Sequence, residues 1–306
     1  MTTRTERNEQ KQKEIIKEEN REIRKKMVLT TLKIITVIII VSLTFFLYTT
    51  YISSKLITIK ETRITDKKIP TSFNGLKIIQ ISDIHYGSTI FIEDIKKIVK
   101  EINRRKPDLI VFTGDLINKG YKIKSKEQEE LIKELKKLNS TVGKYAIMGE
   151  EDKDKFTTIM NQSDFTILNN SYDLIYNNSN NPILVIGLNS STTGEINIEK
   201  GYQYFNEPNH NSNIYTITLL HEPDTVDEII SNYKTDLFLA GHSHNGQVSI
   251  PYIGGIFKKD GAKNYTNEFY QLENSKLYIS SGIGTNGNGF RLFCRPSINF
   301  FRLSSK

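Results

Sequence analysis

The sequence predicts a layered α/β domain preceded by one membrane-spanning helix. Three patterns carry that expectation. An uncharged apolar run lies near the N-terminus, strand-length apolar runs alternate with amphipathic helices after it, and carboxylates or imidazoles stand at the ends of successive strands.

The chain starts charged. Residues 1–33 hold ten Lys and Arg against six Glu, a surplus of four within a net charge of +7. The run IITVIIIVSLTFFLYTTYI, residues 34–52, then carries no charged side chain. About 20 apolar residues cross a hydrocarbon core of ~30 Å. Thr36, Ser42, Thr44, Thr49 and Thr50 are compatible with that, because a helix satisfies its own backbone and hydroxyls bond back to carbonyls. Tyr48 and Tyr51 fall near one end, where amphipathic rings prefer the interface. The basic excess precedes the span, so the positive-inside rule puts the N-terminus in the cytoplasm. A cleaved signal peptide would have a shorter charged region and an A-x-A-like site. A core helix would not follow the charged segment 1–26 and stay apolar all round. The expected organisation is a cytoplasmic charged tail at 1–33, a single-pass transmembrane helix at 34–52 and an extracytoplasmic domain at 56–306, with the lipid bilayer as a partner.

The body after the tail is close to neutral and shows no basic face, so no nucleic acid is expected as a partner. Cys294, the one cysteine, excludes an intramolecular disulfide and a cysteine-rich zinc site, and reads as a small buried residue.

The elements of the body follow in order. LKIIQIS (76–82) is an apolar run of strand length. FIEDIKKIVKEINRRK (91–106) places Ile92, Ile95, Ile98, Val99 and Ile102 at helical spacing and stops before Pro107. DLIVFTGD (108–115) is strand-like, EQEELIKELKKL (127–138) an amphipathic helix with a solvated face, and KYAIMG (144–149) a strand. Residues 164–188 read as successive strands, and 189–213 as a polar, Asn-rich surface loop. IYTITLLH (214–221), DTVDEIIS (224–231) and DLFLAGH (236–242) read as strand, helix and strand. Continuous apolar runs, rather than strict alternation, point to strands buried on both faces.

The strand ends carry the chemistry. Asp83 and His85 follow the first strand, Asp115 the next, and Glu150, Glu151 and Asp152 the third; His221, then His242 and His244, follow the later two. Ligands of open α/β sheets bind outside the carboxyl ends of the strands. Singly, each residue reads as a cap, a turn residue or a satisfied histidine; jointly, they predict a metal site. Asp83 and His85, like His242 and His244, are expected to point the same way from extended backbone. Gly114, Gly149 and Gly241 leave room for close backbone approach. Asp/His ligation without thiolate suits Mn, Fe or Zn more than Ca or Mg. His210 sits in the polar loop and is expected to be exposed.

The stretches ISDIHYG, VFTGDLI, KYAIMG, LLHEPD and GHSHNGQVSIP, with SSGIGTNG and RLFCRP, resemble the calcineurin-like metallophosphoesterases, more narrowly their membrane-anchored bacterial phosphodiesterase-like branch. The resemblance covers residues 74–303 in the family's order. It implies a four-layer fold, a two-sheet β-sandwich flanked by helices, with two divalent metal ions bridged by one aspartate. Carried over by position, Asp83, His85, Asp115 and His244 would hold one ion. Asp115 would bridge, and Glu150, His221 and His242 would complete the other.

The departure is at Gly149-Glu150-Glu151-Asp152, where the family reads Gly-Asn-His-Asp. A carboxylate at 150 can ligate but cannot donate as an amide does. Glu151, at the position of the histidine that assists the leaving group, can act as an acid only if held protonated, with Asp152 as the neighbouring carboxylate. The resemblance thus implies a metal-dependent phosphoric ester hydrolase with Glu151 and Asp152 as its catalytic pair. The substrate class expected is a phosphorylated lipid or another envelope phosphodiester or pyrophosphate. The alternative is a metal-binding relative with lost or reduced hydrolysis, acting as an envelope binding or regulatory protein. Arg291 is expected either to reach a phosphate or to face solvent, and Asn245 and Gln247 to line the cleft.

Overall fold

The computed structural model describes residues 4–305 except 251–253, 257 and 288. Pro251 of the GHSHNGQVSIP stretch and Asn288 of the glycine-rich stretch therefore lie outside the described residues. The chain divides into two compact units at Thr49/Thr50.

The first unit is one long helix, α1 (Arg4–Leu47), continued by a π-helical turn at Tyr48–Ile52. None of the residues of α1 is buried, and from Ile34 onward its exposed side chains are apolar except Thr36, Ser42 and Thr44. By length and composition it can cross a membrane. The hydroxyls of Thr36 and Thr44 donate to the carbonyls of Leu32 and Ile40 at 2.9 and 2.8 Å, as expected of polar groups in such a helix. The charged segment and the apolar run share one helix rather than forming separate elements.

The second unit has four layers, as expected. In chain order its elements are β1 (Thr58–Asp66), β2 (Lys77–Ile81), α2 (Ile92–Arg105), β3 (Leu109–Thr113), α3 (Ser125–Lys136), β4 (Gly143–Ile147) and α4 (Asp154–Gln162). Then come β5 (Thr166–Ile167), β6 (Ser171–Ile175), β7 (Ile183–Gly187), α5 (Ile198–Gly201), β8 (Thr216–Leu219), α6 (Val226–Asn232) and β9 (Leu237–Ala240). The short pair β10 (Ser249–Ile250) and β11 (Gly254–Gly255) precedes β12 (Phe269–Gln271), β13 (Lys276–Ile279) and β14 (Ser297–Ser305). One sheet has the order β1-β14-β2-β3-β4-β5, the other β12-β13-β9-β8-β7-β6. The strands that matter for the site, β2, β3 and β4 in one sheet and β8 and β9 in the other, are parallel within their sheets.

Side-chain alternation explains the layers. Ile78, Leu109, Val111 and Ile147 face inward and pack against Val185, Ile217, Leu219 and Leu239 of the second sheet. Ile79, Ile81, Ile110 and Phe112 face outward and are covered by Ile95, Ile98 and Ile102 of α2 and Leu131 and Leu135 of α3. The second sheet's outer face is covered by Val226 and Ile229 of α6 and by Tyr202 and Tyr204. Gln80 is the exception on β2. Fully buried, it donates across the sandwich to the Ala240 carbonyl at 2.8 Å and accepts from Asn299 at 3.0 Å. A satisfied buried amide of this kind ties the end of β2 to the end of β9.

The elements differ from expectation in two places. α4 lies where no helix was expected, and Phe156, Ile159 and Met160 bury one side of it. The polar stretch 189–213 is not only a surface loop: it contains α5 and a 3₁₀ turn at Gln203–Asn206, and Tyr202 fills the core beneath α6. Its hydroxyl bonds Thr218 and Thr235 at 2.8 and 2.6 Å, which meets the need of a buried phenol for a partner.

Candidate metal centre

Five strands end at one place. The residues after β2, β3 and β4 meet those after β8 and β9, and Asp83, His85, Asp115, His221 and His244 are all fully buried there. The loops after β2 and β3 extend the parallel pairing, with Asp83 N donating to Gly114 O at 2.9 Å and His85 N to Asp115 O at 3.1 Å.

The expected extended backbone is not found. Asp83, His85, Asp115, His242 and His244 have φ of 51, 43, 61, 65 and 48°, all left-handed. The strands have already ended at Ile81, Thr113 and Ala240, so the side chains converge through tight turns and not along a pleat. Such conformations cost of order 1–3 kcal/mol each in a residue with a Cβ and cluster at functional sites. Close approach also excludes side chains. A Cβ on Gly149 would stand 2.3 Å from Asp115 Oδ1, and one on Gly114 2.4 Å from His221 Nδ1.

The polar atoms form two groups that share one carboxylate. In the first, His85 Nε2 is 3.0 Å from His244 Nε2, and His244 Nε2 is 3.2 Å from Asp83 Oδ1. In the second, Glu150 reaches His221 Nε2 at 2.6 Å and His242 Nδ1 at 2.9 Å. Asp115 Oδ2 lies between them, 3.7 Å from His85 Nε2 and 3.4 Å from His221 Nε2. Among the described residues, Asp115 Oδ2, Glu150 Oε2, His221 Nε2 and His242 Nδ1 are buried without a hydrogen bond. Buried polar atoms are normally satisfied. Lone pairs aimed at a common point are what divalent cations satisfy, and the O/N set without sulfur fits that class.

The rings are aimed from behind. His221 Nδ1 donates to Thr113 O at 2.6 Å, and His242 Nε2 to Asp260 O at 2.7 Å. His85 Nδ1 faces Glu151 Oε2 at 3.2 Å. An acceptor behind one nitrogen leaves the other as a lone pair toward the centre. His244 differs: its Nδ1 meets the Arg291 guanidinium at 3.2 Å.

The charges interlock. Burial alone would raise the Asp83 carboxyl, but His244, His221 and His85 hold it well below the ordinary range. Glu150 is held low in the same way by His221 and His242. Burial disfavours charge on His221, yet Asp115 and Glu150 raise it well above the ordinary imidazole value. His85 is raised by Glu151, Asp115 and Asp83 against burial, whereas burial leaves His244 well below its ordinary value.

The two residues of the expected acid pair are held separately. Glu151 is held below its ordinary value, against burial, by His85 and the Lys119 amide. Its Oε2 accepts from Lys119 N at 2.6 Å and its Oε1 from Asn286 Nδ2 at 3.0 Å. It is an ionised acceptor behind His85. Asp152 does not serve Glu151. Its oxygens accept from the amides of Asp115, Leu116 and Gly149 at 2.8–2.9 Å, pinning the loop after β3 to the loop after β4. Burial, then the Asp115 charge, push its carboxyl up to about 7 against those amides.

Other expectations resolve likewise. Arg291 is fully buried; it neither faces solvent nor projects into a cleft, and besides His244 it donates to the carbonyls of Gly282, Gly284 and Cys294. Gln247 clasps Asn286 and Phe290 backbone, and Asn245 donates to Glu268, so both brace loops. His210 sets its ring edge against Tyr204 and Phe205, in the loop. Cys294 is buried. Sequence reasoning missed Asn286 and the carbonyls of Thr113 and Asp260. Asn286 stood in a noted glycine-rich stretch, but a backbone carbonyl leaves no residue-type signal.

Comparison with known proteins agrees with this geometry. The family model for calcineurin-like phosphoesterases matches residues 76–246. The chain is similar to the uncharacterized metallophosphoesterase YkuE of Bacillus subtilis, 31% identical over 84% of this chain and 89% of that one. It is also similar to the UDP-2,3-diacylglucosamine pyrophosphatase LpxG of Chlamydia muridarum, 26% identical over 80% of this chain and 89% of the other. The chain thus belongs to the calcineurin-like phosphoesterases and is a metal-dependent phosphoester hydrolase.

Proposed function

We propose that this hydrolase is anchored by α1 with its second unit outside the cell, and that it cleaves a phosphodiester or pyrophosphate carried at the membrane surface. One observation carries the site assignment: the orphaned Asp115 Oδ2 stands between two His/carboxylate groups. Asp83, His85, Asp115 and His244 would hold one divalent ion, and Asp115, Glu150, His221 and His242 a second. Such ions supply Lewis acidity toward phosphoryl oxygens and lower the pKa of water.

The chain's own groups do the rest. Thr113 O, Asp260 O and Glu151 fix three rings in the tautomer that points a lone pair inward. Asp152 fixes the spacing of the loops that carry Asp115 and Glu150. In the hydrolysis a water oxygen bonds to phosphorus and releases one proton to solvent, the bond to the leaving oxygen breaks, and that oxygen ends as an anion or takes a proton back from solvent. Glu151 already accepts hydrogen bonds at both oxygens and has no proton to give. Leaving groups that depart as stable anions, such as a phosphate in a pyrophosphate, are therefore favoured. The pyrophosphatase name of the Chlamydia relative points the same way.

The test uses the full chain purified in detergent and loaded with Mn²⁺, with bis(4-nitrophenyl) phosphate as substrate and His221→Ala as control. Metal-dependent turnover that vanishes in the control is expected. Bound Mn²⁺ without turnover would overturn the hydrolytic reading in favour of a binding or regulatory role.

A further inference from the structure

Beside the metal centre lies a cavity of about 980 Å³, walled by the loop after β3, the segment that leads into α4, and Asn286. It shares Glu150 and Glu151 with the site, so it opens directly onto it. That volume is near the top of the usual range for ligand pockets, ~300–1,000 Å³, and far exceeds what a phosphoryl group needs.

Its lining has two characters. Ile117, Tyr121, Ile123 and Phe156 make it apolar. Tyr121 is a fixed wall. Its ring lies so close over Gly87 that a Cβ there would stand 2.2 Å from it, its edge meets Tyr86, and its hydroxyl donates to Glu127 at 2.8 Å. A ring held in this way does not swing out to stack on a base. The rest of the lining is polar and mixed in charge: Glu150, Glu151 and Asp152 stand at the inner end, and four exposed lysines, Lys119, Lys122, Lys153 and Lys155, stand at the rim. Lys155 is spent on the Ile123 carbonyl at 2.8 Å, but among the described residues the ammonium groups of Lys119, Lys122 and Lys153 have no ion-pair or hydrogen-bond partner. The carboxylates at the inner end have other partners, histidines for Glu150 and Glu151 and backbone amides for Asp152, so the three lysines do not pair with them. An uncharged chain would find no use for them; an anion would.

From this lining we infer that the cavity seats an apolar chain attached to the scissile phosphate or to its neighbour, so that the substrate is an anionic amphiphile. The inference rests on the phosphohydrolase reading and narrows it: the same centre acts on chain-bearing phosphates in preference to short ones. The shared chemistry, a phosphate ester bearing an alkyl or acyl chain, covers a membrane lipid and a free amphiphile alike.

The probe is a series of 4-nitrophenyl alkyl phosphate diesters with methyl, butyl, octyl and dodecyl groups. Each is kept below its micelle concentration and hydrolysed by the full Mn²⁺-loaded chain in detergent. All four share the leaving group and the bond broken. Each fully buried methylene multiplies kcat/KM by up to about fourfold; at about half that free energy, roughly twofold each, the seven extra methylenes of octyl over methyl give about 100-fold. Two variants of the half-buried Ile117 act on the cavity: Ile117→Ser removes apolar lining and Ile117→Phe fills the space. Thermal melting confirms that each is folded, and either suffices. Both are expected to flatten the series. Partition into detergent would raise wild type and variants alike, so a rise that both variants retain would overturn the assignment. A flat series with good turnover of the methyl diester would overturn it while leaving the phosphohydrolase reading intact. No turnover of any member would sink both. The dodecyl diester presented in phosphatidylcholine vesicles separates the sources: faster turnover there than from solution identifies a membrane-borne substrate, and slower turnover a free amphiphile.

Discussion

Replacing Glu151 by Gln separates the two roles a residue at this position can have. Its Oε2 accepts from His85 Nδ1 and from Lys119 N, and its Oε1 accepts from Asn286 Nδ2. A glutamine can keep its oxygen toward His85 and Lys119, and Asn286 can turn its amide to meet the new NH₂, so the fold should survive. What is lost is the charge behind His85. A hydrogen bond to a charged group contributes about 1.5–3 kcal/mol, which converts to roughly 10- to 100-fold in the affinity of the ion that His85 helps hold, in line with removal of such partners elsewhere. The assay is a Mn²⁺ titration of turnover with bis(4-nitrophenyl) phosphate. The half-saturating Mn²⁺ concentration should rise by that factor, while kcat at saturating metal falls by less than about tenfold. A proton donor behaves oppositely. Its loss lowers kcat by ~10²–10⁴ with metal demand unchanged, and that outcome would refute the positioning role.

Gly149→Ala should cost about 100-fold in kcat/KM, because a Cβ 2.3 Å from Asp115 Oδ1 displaces the shared carboxylate; near-normal kinetics would show that the loop relaxes freely. Arg291→Met strands the carbonyls of Gly282, Gly284 and Cys294, and a net loss of about 3 kcal/mol lowers Tm by roughly 6–12 °C; an unchanged melting curve would mean these bonds carry no stability. Burial holds the Tyr202 phenol above its ordinary value. Its folded pKa is raised, so its contribution is full below pH ~10 and is lost above it, by up to about 1.4 kcal/mol per pH unit. Tyr202→Phe should make the alkaline fall in denaturant-measured stability shallower, and an identical slope would contradict this. For topology, Cys294 is buried and leaves added thiols to report alone. A membrane-impermeant maleimide on intact cells should label Asn180→Cys but not Lys11→Cys, and the reverse pattern would invert the proposed orientation.

The alternation of apolar strands and helices was legible because both sheets are covered on two faces, which leaves Leu109 to Phe112 without polar interruption and β2 with Gln80 alone inside its apolar run. β1 was not legible. Ile64 is its one fully buried residue, and the strand owes its place to nine paired positions along β14, more than 230 residues away. α4 was missed for a related reason. Phe156, Ile159 and Met160 have helical spacing, but nine residues give little periodicity to recognise, and its packing against β4's neighbours comes from tertiary structure.

At the site, residue types were legible and their aim was not. Carboxylates and imidazoles at strand ends announce themselves, because few other uses put five such ends together. The aim comes from groups that a sequence does not display. The turn that points Asp83 inward is a left-handed backbone at an aspartate, which nothing in Ser-Asp-Ile-His demands. The tautomer of His221 depends on the carbonyl of a residue 108 positions earlier, and that of His85 on a glutamate 66 positions later. The same reasoning applies to Glu151. Aligned by type it stands where a proton donor is expected, and only the three donors that converge on it reveal an acceptor. A change of residue in a metal site therefore has to be judged by which hydrogen bonds the new side chain accepts or donates. By that measure Glu151 as placed here accepts three hydrogen bonds, one of them from His85. On the proposed function, that arrangement suits a substrate whose leaving group departs without a proton.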